Sequence, residues 1–433
     1  MTADHASRIT HHASRILVRG VNWLGDAVMS TPALLRLREQ FPGAHITLLT
    51  PEKLRELWLR HPAIDEVIAF EPGESVWTVA SQLKYRPASE TLSEVQQQVV
   101  EARQNLQTMD LPCALDSAKG VLSSAASVAR PRFDLALVLP NSPRSAVEVW
   151  LANIPRRIGY ARPWRNCFLT QTIAPRARAV EMHKRSVAEI KALIAEANPD
   201  HASRTTPHAS RITYPPSAHH LHQYLHLVAA LGASPEPLAP RLGVTPEEIA
   251  AVAKRFGLDT ASTGGRPLLA LNPGAEYGPA KRWPIERFVA AARELQQRTH
   301  CLWLIVGGEG DLALAEQVAS ALHASRFTFH DLCGKTSLRE LMALLKSCRV
   351  LLTNDTGPMH VAAALGTPVV VPFGSTSPEL TAPGLPGDPR HRLLESGVPC
   401  SPCFLRKCPI DFRCMNGISV ERVVDEVVKT LNR

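Results

Sequence analysis

Aromatic residues are scarce in this 433-residue chain, 5% of the total, and they form no cluster of the kind that stacks nucleic-acid bases. Zinc-finger spacing and a basic-zipper pattern are also missing. The formal net charge of +8 suits nucleic acid, anionic lipid or a phosphorylated substrate. With the nucleic-acid signatures absent, the reading is no nucleic acid and a phosphate-bearing substrate or membrane face. Long apolar runs are lacking too. A stretch such as 301–306 falls far short of the roughly 20 residues a membrane helix needs. Residues 1–10 are polar and His-rich, without the apolar core of a signal peptide, so the expected location is the cytoplasm. The nine cysteines are odd in number, and Cys113, Cys167, Cys301, Cys333 and Cys348 are scattered. That excludes a secreted disulfide framework.

What is present is an alternating pattern. The length exceeds one comfortable core, and 45% hydrophobic content suits two globular domains. Short apolar runs at 15–19 (RILVR), 44–49 (AHITLL) and 133–139 (FDLALVL) predict strands, and helical spacing follows at 30–40. The rhythm restarts at 267–271, 302–306, 350–353 and 368–372. Strands alternating with helices predict an α/β protein with parallel sheets, here two Rossmann-like domains facing a central cleft. The expected organisation is a tail over 1–14, a first domain over 15–235 and a second over 241–433, with prolines near 234–240 between them. Insertions are expected at about 71–130, Gln- and Ser-rich and weakly patterned, and at 198–216. The word His-Ala-Ser-Arg recurs at 5–8, 12–15, 201–204, 208–211 and 323–326. Copies so irregularly placed cannot stack as a solenoid and are read as inserted surface sequence; the second merges into the first strand.

Three turns at strand ends carry the chemistry. Gly20 to Asp26 follows the first strand, where glycines let a ligand approach and a helix N-terminus favours negative charge. It is neither a dinucleotide fingerprint nor a P-loop, because Gly-x-Gly-x-x-Gly and Gly-Lys-Ser/Thr are absent. Asp26 reads equally as a general base or as the cap of a helix beginning near Ala27. The second turn, 271–284 (LNPGAEYGPAKRWP), offers Lys281 and Arg282 in a Gly/Pro-rich loop suited to neutralising a pyrophosphate, or to simple solvation. In the third, 353–360 (TNDTGPMH), the Thr356 and Gly357 amides sit at a helix N-terminus able to hold phosphate. His360 lies one turn further in. Gly374 to Pro378 makes a further polar turn. No Asp-x-Asp occurs; Glu309-Gly310-Asp311 is the nearest arrangement. A metal-bound diphosphate device is therefore missing, and neutralisation falls to Lys281, Arg282 and helix N-termini.

At these residues the chain resembles the ADP-heptose:lipopolysaccharide heptosyltransferases, glycosyltransferase family 9. The marks are 22–32 (NWLGDAVMSTP), 139–146 (LPNSPRSA), 154–160 (IPRRIGY), 272–284 and 354–360, followed by 364–368 (ALGTP), 373–378 (FGSTSP) and 400–408 (CSPCFLRKC). They stand in family order, and the first and last blocks favour the heptosyltransferase II type, with a heptosyltransferase I- or III-type acceptor as the alternative within the family. The resemblance implies a GT-B fold and an inverting, metal-independent transfer. Heptose would move from ADP-L-glycero-β-D-manno-heptose to a lipid A-linked inner-core acceptor, with the enzyme peripheral at the inner face of the inner membrane. It further implies Asp26 as the base and Lys281 as the stabiliser of the leaving diphosphate. Glu276, Tyr277, Lys281, Arg282, Asp311, Asp355, Thr356, Gly357 and His360 would bind the donor. Asn22, Arg144 and Arg157 would bind the acceptor, within a basic group that also holds Arg156, Arg162 and Arg165.

Cys400, Cys403, Cys408 and Cys414 give C-x2-C-x4-C-x5-C. The first pair is a fair zinc half-site and the second is looser than structural sites use, so the expectation is no cofactor. Two rival readings remain open: a related sugar-nucleotide epimerase or hydrolase, for which no further acid/base pair is identified, and a nucleotide-sugar binder silenced by its insertions.

Overall fold

The computed structural model describes residues 14–84, 132–177, 179–180, 182–197 and 214–433. The first four His-Ala-Ser-Arg copies, apart from Ser14 and Arg15, and most of the insertions expected at 71–130 and 198–216 lie outside them. The chain forms two compact units. The first takes in residues up to Gly20 with Phe41–Glu52 and Ile64–Ala174; the second takes in Val21–Gln40, Lys53–Ala63 and Pro175–Arg433. The second unit therefore claims the helix that follows the first strand and the chain from 175 onward, where the sequence reading ran the first domain on to residue 235.

In the first unit six strands, β1 (Arg15–Arg19), β2 (His45–Pro51), β3 (Glu66–Phe70), β4 (Leu135–Val138), β5 (Arg156–Tyr160) and β6 (Gln171–Ile173), form one parallel sheet in the order β3-β2-β1-β4-β5-β6. Strands buried on both faces read as unbroken aliphatic runs, as RILVR and LALV do. Leu17, Leu49, Phe133, Ala136 and Val138 lie in the core. Arg19 ends β1 buried against Glu148 at 2.8 Å and donates to the Gly20 carbonyl at 2.6 Å, so its charge is paired and its donors are used. The segment expected as an insertion from residue 71 begins instead with a helix, Val76–Lys84, whose Val79, Ala80 and Leu83 are buried. Its apolar positions recur at helical intervals, a signal hidden beside the polar sequence that follows.

The second unit repeats the plan with β7 (Leu268–Asn272), β8 (Leu302–Ile305), β9 (Phe329–Asp331), β10 (Val350–Thr353), β11 (Val369–Phe373) and β12 (Arg392–Glu395). Its parallel order is β12-β11-β10-β7-β8-β9. Both sheets thus have the doubly wound strand order, in which the chain reverses direction across the sheet between two central strands. In the second sheet that switch falls between β7 and β10, paired from Val350↔Leu269 to Thr353↔Asn272. A core of Trp283, Phe288, Trp303, Leu271 and Val423 lies beside it. Each large side chain so buried stabilises by roughly 1.5–3 kcal/mol. Helices here start on sequence signals: Thr245 with Glu248 and Ser337 with Glu340 form capping boxes. The last His-Ala-Ser-Arg copy ends the helix Leu312–Ala324 at the surface rather than forming a loop insertion, with Arg326 at φ 58°. Among the described residues no helix is long and apolar enough to cross a membrane.

Candidate active site

The crevice beyond the carboxyl ends of strands at a topological switch is where such sheets bind ligands. In the second unit the two loops leaving that point are 273–284, after β7, and 354–357, after β10. Asn354 ties them together. Its side-chain amide donates to the carbonyls of Pro273 at 2.9 Å and Gly274 at 3.2 Å, while its Oδ1 accepts the Trp283 N–H at 2.8 Å. The 273–284 loop is also held from outside. Ala280 N–H donates to the Arg406 carbonyl at 3.0 Å, and Gly278, at φ 151°, passes that carbonyl so closely that a Cβ would lie 2.6 Å from it. The glycine is required there.

These loops deliver Lys281 onto Asp355. The ammonium lies 2.6 Å from Oδ2, which also accepts the Thr376 hydroxyl at 2.6 Å. The carboxylate is buried, 4% exposed, and the lysine 13%. Burial pushes the Asp355 carboxyl up, but Lys281 and Thr376 together bring it below the ordinary aspartate value. Tyr277 lies under both cations, with Lys281 Nζ at 5.1 Å and Arg406 Cζ at 5.2 Å from its ring centre, and its hydroxyl donates to the Phe404 carbonyl at 2.8 Å. Glu276 pairs with Lys53 at 3.1 Å, and Lys53 stands 5.4 Å from the Trp23 ring.

Two helix starts meet beside this pair. The helix Gly357–Ala364 begins after Thr356 as its N-cap, and the helix Leu24–Gln40 begins just before Asp26. Small residues let them abut. A Cβ on Gly357 would lie 2.8 Å from the Leu24 side chain, and one on Gly25 would lie 2.8 Å from the His360 ring. Of the two readings of Asp26 left open from sequence, the helix cap does not hold, since the helix starts two residues earlier and holds Asp26 in the first turn. Burial raises the Asp26 carboxyl above its usual range, partly offset by His220, by a hydrogen bond from Tyr224 and by Lys281. Tyr224 Oη donates to Asp26 Oδ1 at 3.2 Å. Burial pushes His360 down to about 4, so it is neutral at pH 7.

Asp26, Glu276, Tyr277, Lys281, Asp355, Thr356, Gly357 and His360 line one cavity of about 380 Å³, together with Trp23, Lys184, His220 and Arg406. Arg282 and Asp311 do not line it. Arg282 follows Lys281 but turns to a neighbouring recess with Trp283 and Lys407. Asp311 packs on Gly274, where a Cβ would meet its carboxyl at 2.1 Å, and its carboxyl, raised by burial, accepts from Gly308 N–H at 3.3 Å. Asn22 is exposed just before Trp23. Arg144 and Arg157 belong to the first unit. There Arg144 bonds Glu148 at 2.9 Å and the Glu74 carbonyl, while Arg157 donates to the Phe168 and Ile154 carbonyls at 2.7 and 2.5 Å. The four clustered cysteines surround a separate small recess beside Gly374. Burial and the neighbouring thiols push Cys414 up to about 12, so it is a neutral thiol. Among the described residues no group of three or more His, Cys, Asp or Glu is arranged to hold a metal ion.

Sequence reasoning passed over His220 and Tyr224, and held Thr376 and Arg406 only as members of the 373–378 and 400–408 blocks, with no role of their own. The only signal for the first two was position: His220 and Tyr224 stand one helical turn apart in HHLHQYLH, a spacing that places both on one face.

Two doubly wound parallel sheets in two compact units are the architecture of the GT-B class, and one cavity of the second unit holds a buried lysine–carboxylate pair and a further carboxylate at a helix start. Residues 199–412 match the profile described as "Glycosyltransferase family 9 (heptosyltransferase)". The chain is 28% identical over 389 residues to lipooligosaccharide heptosyltransferase 2 of Haemophilus ducreyi, covering 89% of this chain and 90% of that one. It is also 28% identical to lipopolysaccharide heptosyltransferase 2 of Escherichia coli K12, over 85% of each chain. The solved structure of E. coli ADP-heptose LPS heptosyltransferase II superposes with a TM-score of 0.63 at 25% identity, covering 96% of this chain and 98% of that one. A family 9 glycosyltransferase from Veillonella parvula shares the fold, with a TM-score of 0.65 at 22% identity over 98% of this chain and 99% of that one. Residues 199–412 thus form a glycosyltransferase family 9 (heptosyltransferase) domain, and the chain is a glycosyltransferase similar over most of its length to heptosyltransferase 2 enzymes.

Proposed function

We propose that this enzyme is an inverting, metal-independent heptosyltransferase of type II. It transfers heptose from ADP-L-glycero-β-D-manno-heptose to the heptosyl-Kdo2-lipid A inner core, working peripherally at the cytoplasmic face of the inner membrane. The observation that carries the reading is a base and a cation held in one cavity: Asp26 at one helix start, and Lys281 fixed by Asp355 at the strand switch.

In this reading Asp26 takes the proton of the acceptor hydroxyl as its oxygen attacks the anomeric carbon. The bond from that carbon to the diphosphate oxygen breaks on the opposite face, and ADP departs with the negative charge. A carboxyl raised by burial suits a base working near neutral pH. Lys281 and the amides at Thr356 and Gly357 meet the charge that develops on the leaving oxygen, where fixed donors count most. Neutral His360 supports that helix start from behind. Glu276 and Tyr277 hold the donor. Arg282 and Asp311, beyond the Gly274 turn, serve its nucleoside end. Asn22 is assigned to the acceptor's phosphates or carboxylates, as on the first unit are the 41% exposed Arg144 and Arg157, whose guanidinium is committed to two carbonyls.

The test is ADP release from ADP-heptose in EDTA, with and without heptosyl-Kdo2-lipid A. Acceptor-dependent release that persists in EDTA, and falls by about 10²–10⁴-fold in Asp26→Asn, is expected. Release abolished by EDTA, or unchanged in the variant, would overturn the reading.

A further inference from the structure

The helix Leu221–Ala229 carries two side chains toward the catalytic carboxylate that no family block contains. Tyr224 donates to Asp26 Oδ1 at 3.2 Å. His220, one turn earlier at the N-terminal end of that helix, lines the same cavity as Asp26. The segment is fixed independently of any ligand. His220 N–H donates to the Leu380 carbonyl at 3.0 Å, and His219 Nε2 meets the Ala382 carbonyl at 2.9 Å.

A carboxylate has two oxygens, and only one can face an incoming hydroxyl usefully. From this geometry we infer that Tyr224 is a positioning residue for Asp26, fixing Oδ1 so that Oδ2 takes the proton, with His220 beside the carboxylate on the same cavity wall. The inference rests on the reading of Asp26 as the base. A donor on Oδ1 removes rotation about the terminal carboxyl torsion, which is otherwise broad, and orientation is a large part of what a site contributes.

Charge supports the same assignment. His220 and the Tyr224 hydrogen bond both favour the ionised carboxylate against the burial that disfavours it. Burial keeps the imidazole below its usual value, with Asp26 and Asp355 pulling the other way. The groups facing Asp26 are thus His220 and Tyr224 from this helix, Lys281 and Asp355 from the strand-switch loops, and His360, which abuts neighbouring Gly25. Two groups this close titrate together, so the acid limb of the rate profile belongs to the pair.

The experiment measures kcat and KM for acceptor-dependent ADP release from pH 5 to 9 in wild type, Tyr224→Phe, His220→Gln and Asp26→Asn, with ADP binding and thermal unfolding as controls. Tyr224→Phe keeps the ring and loses the donor. It should lower kcat about ten- to a hundredfold, the rate equivalent of a hydrogen bond to a charged group, with ADP binding unchanged. Its acid limb should move to higher pH, because the lost bond favoured the carboxylate. His220→Gln should move the limb the same way. Limbs that stay in place in both variants, or losses confined to KM or unfolding temperature, would make the two residues packing elements and overturn the proposal. If Tyr224→Phe does not fold, the His220→Gln profile decides alone. An active Asp26→Asn would instead defeat the underlying assignment of the base.

Discussion

Replacing Lys281 by methionine separates what the lysine does for the fold from what it does for the reaction. The substitution keeps the length of the side chain and removes its charge, leaving Asp355 buried with the Thr376 hydroxyl on its Oδ2. Breaking one side of a buried ion pair destabilises by about 3–5 kcal/mol, mostly because the remaining charge stays desolvated. Protonation limits the loss: without Lys281 the burial that already pushes Asp355 upward acts unopposed by the ammonium. We therefore expect Lys281→Met to lose about 3 kcal/mol. The double variant Lys281→Met with Asp355→Asn should recover most of that, because neither charge is left alone.

The two variants should diverge from stability when activity is read. Both lack the cation proposed to meet the leaving diphosphate, so both should lose about 10²–10³-fold in kcat, the usual loss when one fixed donor to a developing charge is removed. Urea unfolding gives the first quantity and acceptor-dependent ADP release the second. The pH dependence supplies a sign check. Asp355 is lowered in the folded state, so the pair's stabilisation is full above the unfolded aspartate value and is lost as pH falls through the folded one. The gap between wild type and Lys281→Met should narrow in acid. A methionine variant as stable as wild type would refute the buried pair. A double variant with wild-type turnover would refute the role of the charge.

Much of this arrangement could be read from the chain before its structure. Runs such as PLLAL and PVVVP are aliphatic because strands covered on both faces have no polar side, and the turns after β7 and β10 are marked by Asn-Pro-Gly and Asn-Asp-Thr-Gly. The five strands β3, β5, β6, β9 and β12 were not singled out as strands. They lie away from the sheet centres, toward or at the edges, where polar residues such as the arginines of RRIGY intrude. The helix Val76–Lys84 was read as insertion because polar sequence adjoins it. Lys281 and Arg282 looked equivalent in sequence, yet on the pinned loop one faces Asp355 and the other a different recess. His220 and Tyr224 could not be placed because their meeting with Asp26 depends on how two helices nearly 200 residues apart pack, which no local pattern encodes.

Two further outcomes follow from packing and protonation. Gly357→Ala should destabilise by about 1–3 kcal/mol, because the new methyl meets the Leu24 side chain at 2.8 Å, and Leu24→Ala in the same chain should relieve part of it in thermal unfolding. The buried histidines make a stronger demand. Burial lowers His61, His360 and His391 to about 4 and His219 to about 3. His219 shows why it stays neutral: its Nδ1 accepts the Leu221 N–H at 3.3 Å while Nε2 meets the Ala382 carbonyl at 2.9 Å, and an imidazolium has no acceptor to offer. With folded values below the unfolded 6.5, the unfolded chain binds more protons between about pH 6.5 and 4. Stability is then full above pH 6.5 and is lost as pH falls through the folded values, at about 3 kcal/mol per histidine. The urea midpoint should hold steady above pH 7.5 and fall steeply below 6.5, and His360→Gln should make the slope shallower by one proton. A midpoint that stays level down to pH 5 would mean these rings reach water or pair with a carboxylate more closely than His391 does with Asp388 at 3.7 Å, and the close contact of His360 with Gly25 at the two helix starts would be wrong.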